Sequence, residues 1–274
     1  MKSRTLHLRI ILPILALAGG AWALAQGLPT SQPNLIHIWR ESVKPGRAAD
    51  HAAHEAGYPA ALARAGSPDH YLALTSVTGP SEAWYVIPFK SHAAIGEMFK
   101  LEAKDPTLAA ELGRLARVDA EFINGVEIIQ AMARPDLSIG TYPDIAKARF
   151  FEITVYRLRP GQVSQFEAAA KAWGAAVKRA APAMGARVYQ VIAGMPSPTF
   201  LVFSSVEDYA EFDRVDANVE AAWKASTPEE QETIRKFAAE AVLEEVSNKF
   251  RLDPVQSYVP KETRDKDPGF WQPK

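Results

Sequence analysis

Six histidines and a small set of acidic and aromatic residues carry whatever chemistry this 274-residue chain performs, because it contains no cysteine. That absence excludes a nucleophilic thiolate, a thiolate metal site, a disulfide framework and a lipidated cysteine. The first constellation is His37, Trp39 and Glu41, which alternate with Ile36, Ile38 and Arg40. Glu152, Thr154 and Tyr156 alternate in the same way with Phe151, Ile153 and Val155. Side chains at i, i+2 and i+4 of a strand share one face. A His, two Glu and a Tyr on such faces could bind a small molecule, with His37 as an acid or base near neutral pH. The competing structural reading is that these groups satisfy one another's hydrogen bonds and fill the space between layers.

Three further groups are weaker. His51, His54 and Glu55 form H-x-x-H-E, a spacing that would let two imidazoles share a metal. The metalloprotease orders H-E-x-x-H and H-x-x-E-H are both absent, and incidental histidines on a helix face are the alternative. His92 opens a helix shortly after Trp84 and Tyr85, and His70 follows Ser67-Pro68-Asp69 in what reads as turn chemistry. No G-x-S-x-G, P-loop or G-x-G-x-x-G occurs, so the hydrolase-elbow and nucleotide readings lack their anchors.

An internal repeat organises the elements that must position these residues. Ile36 to Gly46 and Phe151 to Gly161 are both alternating segments that end in a basic residue, Pro and Gly. Pro45 and Pro160 are 160 − 45 = 115 positions apart. The same offset carries Gly79 onto Gly194, and Tyr85-Val86-Ile87 onto Phe200-Leu201-Val202. Val163, Phe166, Ala170, Trp173 and Val177 recur at helical spacing after the first strand of the second copy. The first copy has Ala48, His51, Glu55, Tyr58 and Leu62 at those positions, with Pro59 expected to kink or break the helix. Asp105-Pro106 and Thr227-Pro228 mark the start of a later helix in each copy, and Glu230 completes a capping box with Thr227. Last strands are expected over about Val126 to Ala133 and Val255 to Val259. The unit therefore reads β-α-β-β-α-β with an extra helix, an α+β ferredoxin-like arrangement present twice.

The strand-[KR]-Pro-Gly-helix pattern, with Val155-Tyr156-Arg157-Leu158-Arg159-Pro160-Gly161 running into Phe166, resembles the dimeric α+β-barrel superfamily. That superfamily includes NIPSNAP-like proteins and antibiotic-biosynthesis-type monooxygenases. The resemblance covers most of residues 34–262 and implies an intramolecular pseudo-dimer of two ferredoxin-like units, whose sheets face each other across a central cavity for haem or another small apolar ligand. Within that architecture the apolar set Ile36, Ile38, Phe151 and Ile153 is expected under the helices. His37, Trp39, Glu41, Glu152 and Tyr156 are then expected to line the cavity. Tandem haem-binding relatives draw their iron ligand from a histidine of the second copy, and this chain has none after His92. A monooxygenase-like haem pocket would instead have to use His92 with Trp84.

The ends complete the organisation. Lys2, Arg4 and Arg9 precede an apolar run to about Trp22 and an A-x-A pattern at Ala23 and Ala25, a secretory signal with cleavage before Gln26; an uncleaved anchor is the alternative. Without those three basic residues, 31 Lys and Arg become 28 against 32 Asp and Glu, a mildly acidic balance suited neither to nucleic acid nor to an anionic membrane. The expected divisions are a signal at 1–25, a linker at 26–33, repeat 1 at 34–138, a linker at 139–149, repeat 2 at 150–262 and a mobile tail at 263–274. Three functions fit these features. One is an exported, periplasmic or secreted small-molecule-binding protein, with homo-oligomers allowed. The others are a cofactor-independent or haem-dependent monooxygenase-type enzyme using the same cavity, and a structural or interaction module with a filled interior.

Overall fold

A computed structural model of the chain describes residues 28–272, so the signal segment and the Gln26 cleavage site lie outside the described residues. Repeat 1 runs β1 (Leu35–Val43), α1 (Ala48–Glu55), α2 (Gly57–Ala65), β2 (Tyr71–Ser76), β3 (Glu82–Phe89), α3 (His92–Lys104), α4 (Pro106–Asp119) and β4 (Ile123–Ala133). Repeat 2 runs β5 (Phe150–Leu158), α5 (Val163–Ala180), β6 (Arg187–Ala193), β7 (Thr199–Val206), α6 (Glu211–Ala225) and α7 (Pro228–Lys236). A π-turn at Phe237–Ala241, β8 (Val242–Tyr258), α8 (Lys261–Lys266) and α9 (Pro268–Trp271) follow. Among the described residues no helix is long and apolar enough to cross a membrane.

The helix boundaries follow local chemistry. Asp105 caps α4 by accepting from the N–H groups of Thr107 and Leu108, and Thr227 with Glu230 forms the expected capping box on α7. The first helix of repeat 1 is broken at Ala56, so that Pro59 falls in the first turn of α2, where its missing N–H costs no hydrogen bond.

Eight antiparallel strands close into one barrel in the order β1-β3-β2-β8-β5-β7-β6-β4. Each repeat contributes a four-stranded sheet, and the halves join along two seams, β2 with β8 and β4 with β6. The hairpin glycines recognised by the repeat lie at these seams. A Cβ on Gly194 (φ +91°) would stand 1.9 Å from the carbonyl oxygen of Ile128 on β4, and one on Gly79 (φ +77°) 2.2 Å from Oδ1 of Asn248 on β8. Only glycine fits a backbone that is both left-handed and this close to its neighbour.

The barrel interior corrects the expected facing of the strands. Ile36, Ile38, Phe151 and Ile153 point inward and pack with Trp84, Leu201, Phe203, Phe250 and Leu252 from both sheets. His37, Trp39 and Glu41, and likewise Glu152, Thr154 and Tyr156, point outward under the helices of their own repeats. The reason is hydration: the middle of the space between the two sheets is cut off from water and takes the wholly apolar set, while the Glu82 carboxylate on the inward face is paired with Arg40 and the Trp84 indole N–H. The sheet–helix layers instead receive polar side chains from the helices.

Two other expectations are revised. The last strand of repeat 2 begins at Val242 rather than near Val255, and Pro254 sits where the pairing with β2 shifts register between Tyr71 and Ala73. The tail is folded back on the barrel: Trp271 is 4% exposed and its indole N–H donates to the Ala146 carbonyl at 3.0 Å. Arg149 stacks on Phe270 at 3.8 Å and pairs with Asp267. The tail expected to be mobile thus covers its own chain with its aromatics.

Candidate functional site

The outward faces of β1 and β5 meet two different environments at pseudo-equivalent places. In repeat 2 the space between the sheet and α5, α6 and α7 is a cavity of about 640 Å³, within the range of small-molecule sites. Tyr156, Phe166, Trp173, Val188, Val202 and Phe237 form its apolar wall. Phe166 is fixed from three sides, stacked on Phe200 at 4.0 Å and edge-on or tilted to Phe237 and Tyr156 at 5.6 and 5.7 Å. Glu152, Thr154 and Ser204 on the sheet, and Arg214 and Asn218 on α6, add the polar groups. Glu152 accepts from Ser247 Oγ at 3.2 Å. Burial, with the Glu245 carboxylate next in size, holds the Tyr156 hydroxyl well above its ordinary pKa and therefore protonated.

In repeat 1 the corresponding layer is closed, and charge fills it. Glu41 on β1, His51 and Glu55 one turn apart on α1, and Asp119 at the end of α4 are all buried, with ligand atoms that lie within 4.8 Å of one another. His51 Nε2 is 2.9 Å from Glu41 Oε2 and 3.6 Å from Asp119 Oδ1. No N–H or hydroxyl donor reaches Glu55 Oε1 or Asp119 Oδ1, and the Glu55 carboxyl lies within hydrogen-bond reach of Asp119 and of Tyr85. Burial first, then the neighbouring Glu41 and Asp119 carboxylates, push the Glu55 carboxyl up to about 9. Burial also raises Glu41 and Asp119, with the His51 hydrogen bond opposing it at Glu41. Among the described residues no Lys or Arg pairs with any of the three carboxylates.

The sequence-predicted residues divide accordingly. Glu152 and Tyr156 line the repeat 2 cavity, whereas Glu41 belongs to the repeat 1 cluster, so no common cavity joins the two sets. His37 is buried away from both. Gln130 Nε2 donates to its Nδ1 at 3.3 Å, Trp39 and Phe89 are edge-on to its ring, and burial lowers its pKa. Trp39 packs on the repeat 1 sheet–helix core. Trp84 lies inside the barrel and donates to Glu82 at 2.9 Å, while His92 is exposed at the start of α3, so the two do not form a pocket. His51 and His54 do not converge either: the His54 Nε2–H donates to the Leu115 carbonyl at 2.9 Å. Asp119 carried no sequence signal beyond its position at the end of a capped helix.

Neither a family model nor a curated protein matches the sequence. Solved structures share its fold at low identity. An anthrone oxidase-like protein is 13% identical over 81% of this chain and 92% of its own, with a TM-score of 0.52. A candidate monooxygenase from Lactobacillus acidophilus NCFM is 10% identical over 80% and 93%, with a TM-score of 0.50. Chlorite dismutase from Candidatus Nitrospira defluvii, in complex with imidazole, is 7% identical over 86% and 96%, also with a TM-score of 0.50.

Proposed function

From a dimeric α+β barrel closed within one chain, we propose that this protein binds a small, largely apolar, planar-ring molecule in the repeat 2 cavity, outside the cytoplasm. The observation that carries the reading is the cavity of about 640 Å³ walled by Tyr156, Phe166, Trp173 and Phe237, with a minority of polar groups that includes Glu152, Thr154, Ser204, Glu211, Arg214 and Asn218. Flat aromatic walls favour a ring system, and a few polar groups at the rim fix its orientation. The donors do not fit a histidine-ligated haem. No histidine lines the cavity, and its iron-ligand candidates are Met184 and the Tyr156 hydroxyl, which is held protonated.

The test is binding of 1-anilinonaphthalene-8-sulfonate, followed by its own fluorescence, and of aromatic ligands that displace it, in wild type and Ala170→Phe. Ala170 lines the cavity, and a ring there occupies the space proposed for the ligand. Saturable binding that Ala170→Phe abolishes and Ile38→Ala, inside the barrel, preserves is the expected result. Equal binding by wild type and Ala170→Phe would overturn the assignment.

A further inference from the structure

The repeat 1 cluster is not something the fold requires. At the offset of 115, Glu41, His51 and Glu55 correspond to Tyr156, Phe166 and Ala170, and at the larger offset of 227 − 105 = 122 Asp119 corresponds to Ala241. The same layer of the same fold is thus built from aromatic and small residues in repeat 2. Repeat 1 places three carboxylates and an imidazole there, at 2% to 7% exposure.

Such a group needs an occupant. Buried carboxylates are costly unless paired or bound to a metal. One proton on His51 Nε2 can bond only one acceptor, and Glu41 Oε2 at 2.9 Å already takes that place. Glu55 Oε1 and Asp119 Oδ1, on residues 3% and 4% exposed, receive no hydrogen bond from an N–H or hydroxyl donor, although the two carboxyl groups lie within hydrogen-bond reach of each other, and both belong to the same set of converging donors.

We propose that Glu41, His51, Glu55 and Asp119 form a binding site for one divalent first-row cation. Donors about 2.0–2.2 Å from one ion lie no more than about 4.4 Å apart. A set already within 4.8 Å need therefore contract by only a few tenths of an ångström. Three oxygen donors with one imidazole suit Mn²⁺, Fe²⁺ or Zn²⁺ better than Mg²⁺ or Ca²⁺, which favour all-oxygen shells, or Cu(I), which favours sulfur. His51 and Glu55 on successive turns of α1 supply two ligands from one rigid element. Glu41 and Asp119 supply the others from β1 and α4, so the ion would tie the helices of repeat 1 to their sheet.

The experiment uses the untagged, chelator-treated full chain and two probes, Mn²⁺ and Zn²⁺. Titration of Mn²⁺ followed by loss of the free-ion electron paramagnetic resonance signal should show one site per chain, with Zn²⁺ competing for it. Either ion should raise the melting temperature, since a ligand that binds only the folded state stabilises it. Glu55→Gln combined with Asp119→Asn, which keeps shape and removes charge, should weaken Mn²⁺ binding at least a hundredfold, while His92→Ala leaves it unchanged. If the double variant does not fold, the wild-type titration still decides: no stoichiometric Mn²⁺ or Zn²⁺ binding overturns the proposal. Binding that survives in a folded double variant also overturns it. Ligand binding in repeat 2 is read separately, so failure of one site does not imply failure of the other.

Discussion

Gly194→Ala and Gly79→Ala are pseudo-symmetric perturbations that the structure predicts to be unequal. Both residues have φ near +80° to +90°, and forcing an L-residue into left-handed space costs about 1–2 kcal/mol. The difference lies in what the new methyl meets. At Gly79 it meets the end of the Asn248 side chain, which can rotate away. At Gly194 it would overlap the Ile128 carbonyl oxygen at 1.9 Å and the Ile129 Cα at 2.9 Å. Relief there requires β6 and β4 to separate, an overpacking cost of about 1–3 kcal/mol. Gly79→Ala should therefore lose about 1–2 kcal/mol and Gly194→Ala about 2–5 kcal/mol. Urea unfolding measures both, and hydrogen exchange along β4 and β6 should show the second opening its seam locally. Equal losses, or a larger loss at Gly79, would refute the account of the seams.

Three other outcomes are expected. Phe166→Ala should cost about 3–5 kcal/mol, the range for truncating a buried aromatic, whereas Trp173→Ala should cost clearly less because Trp173 is only half-buried at the cavity wall; comparable losses in thermal or urea melts would contradict this. Burial depresses the His37 pKa in the folded state below its unfolded value of about 6.5. The unfolded chain then binds more protons, so His37's contribution is present above about pH 6.5 and lost as pH falls through the folded pKa. His37→Gln should flatten the loss of stability between pH 7 and 5, and an unchanged slope would remove the histidine from the explanation. Export is checked by N-terminal sequencing of the secreted form, which should begin near Gln26; retention of Met1 in the membrane fraction would count against cleavage.

The constant offset of 115 made the duplication legible, because the Pro-Gly turns and hairpin glycines are backbone requirements that leave a residue-type signature. Alternation along β1 and β5 separated the two faces correctly but could not say which was inside. Both faces are buried, and only the closure of the second sheet over the first decides which is drier. The cavity residues Glu152 and Tyr156 were identified by that alternation, although for a site shared with His37 that does not exist. Glu55 was visible next to His51 and His54, but Asp119 reaches the cluster only through the packing of α4 on α1, and no periodicity reports that. β8 was hidden for a different reason. Glu244, Glu245, Lys249, Arg251 and Pro254 depress its strand propensity, and it is held instead by pairing with β5 and β2.

Closing the barrel within one polypeptide has a consequence for what the molecule can become. When two identical subunits make such a barrel, every substitution is installed twice, so a change that opens one ligand chamber opens both and a charge buried in one half is buried in the other. The continuous chain from β4 through residues 134–149 into β5 lifts that constraint. Tyr156 can stand where its counterpart is Glu41, and Phe166 where its counterpart is His51. Each half can thus be tuned without altering the other, while the shared apolar interior keeps them a single body.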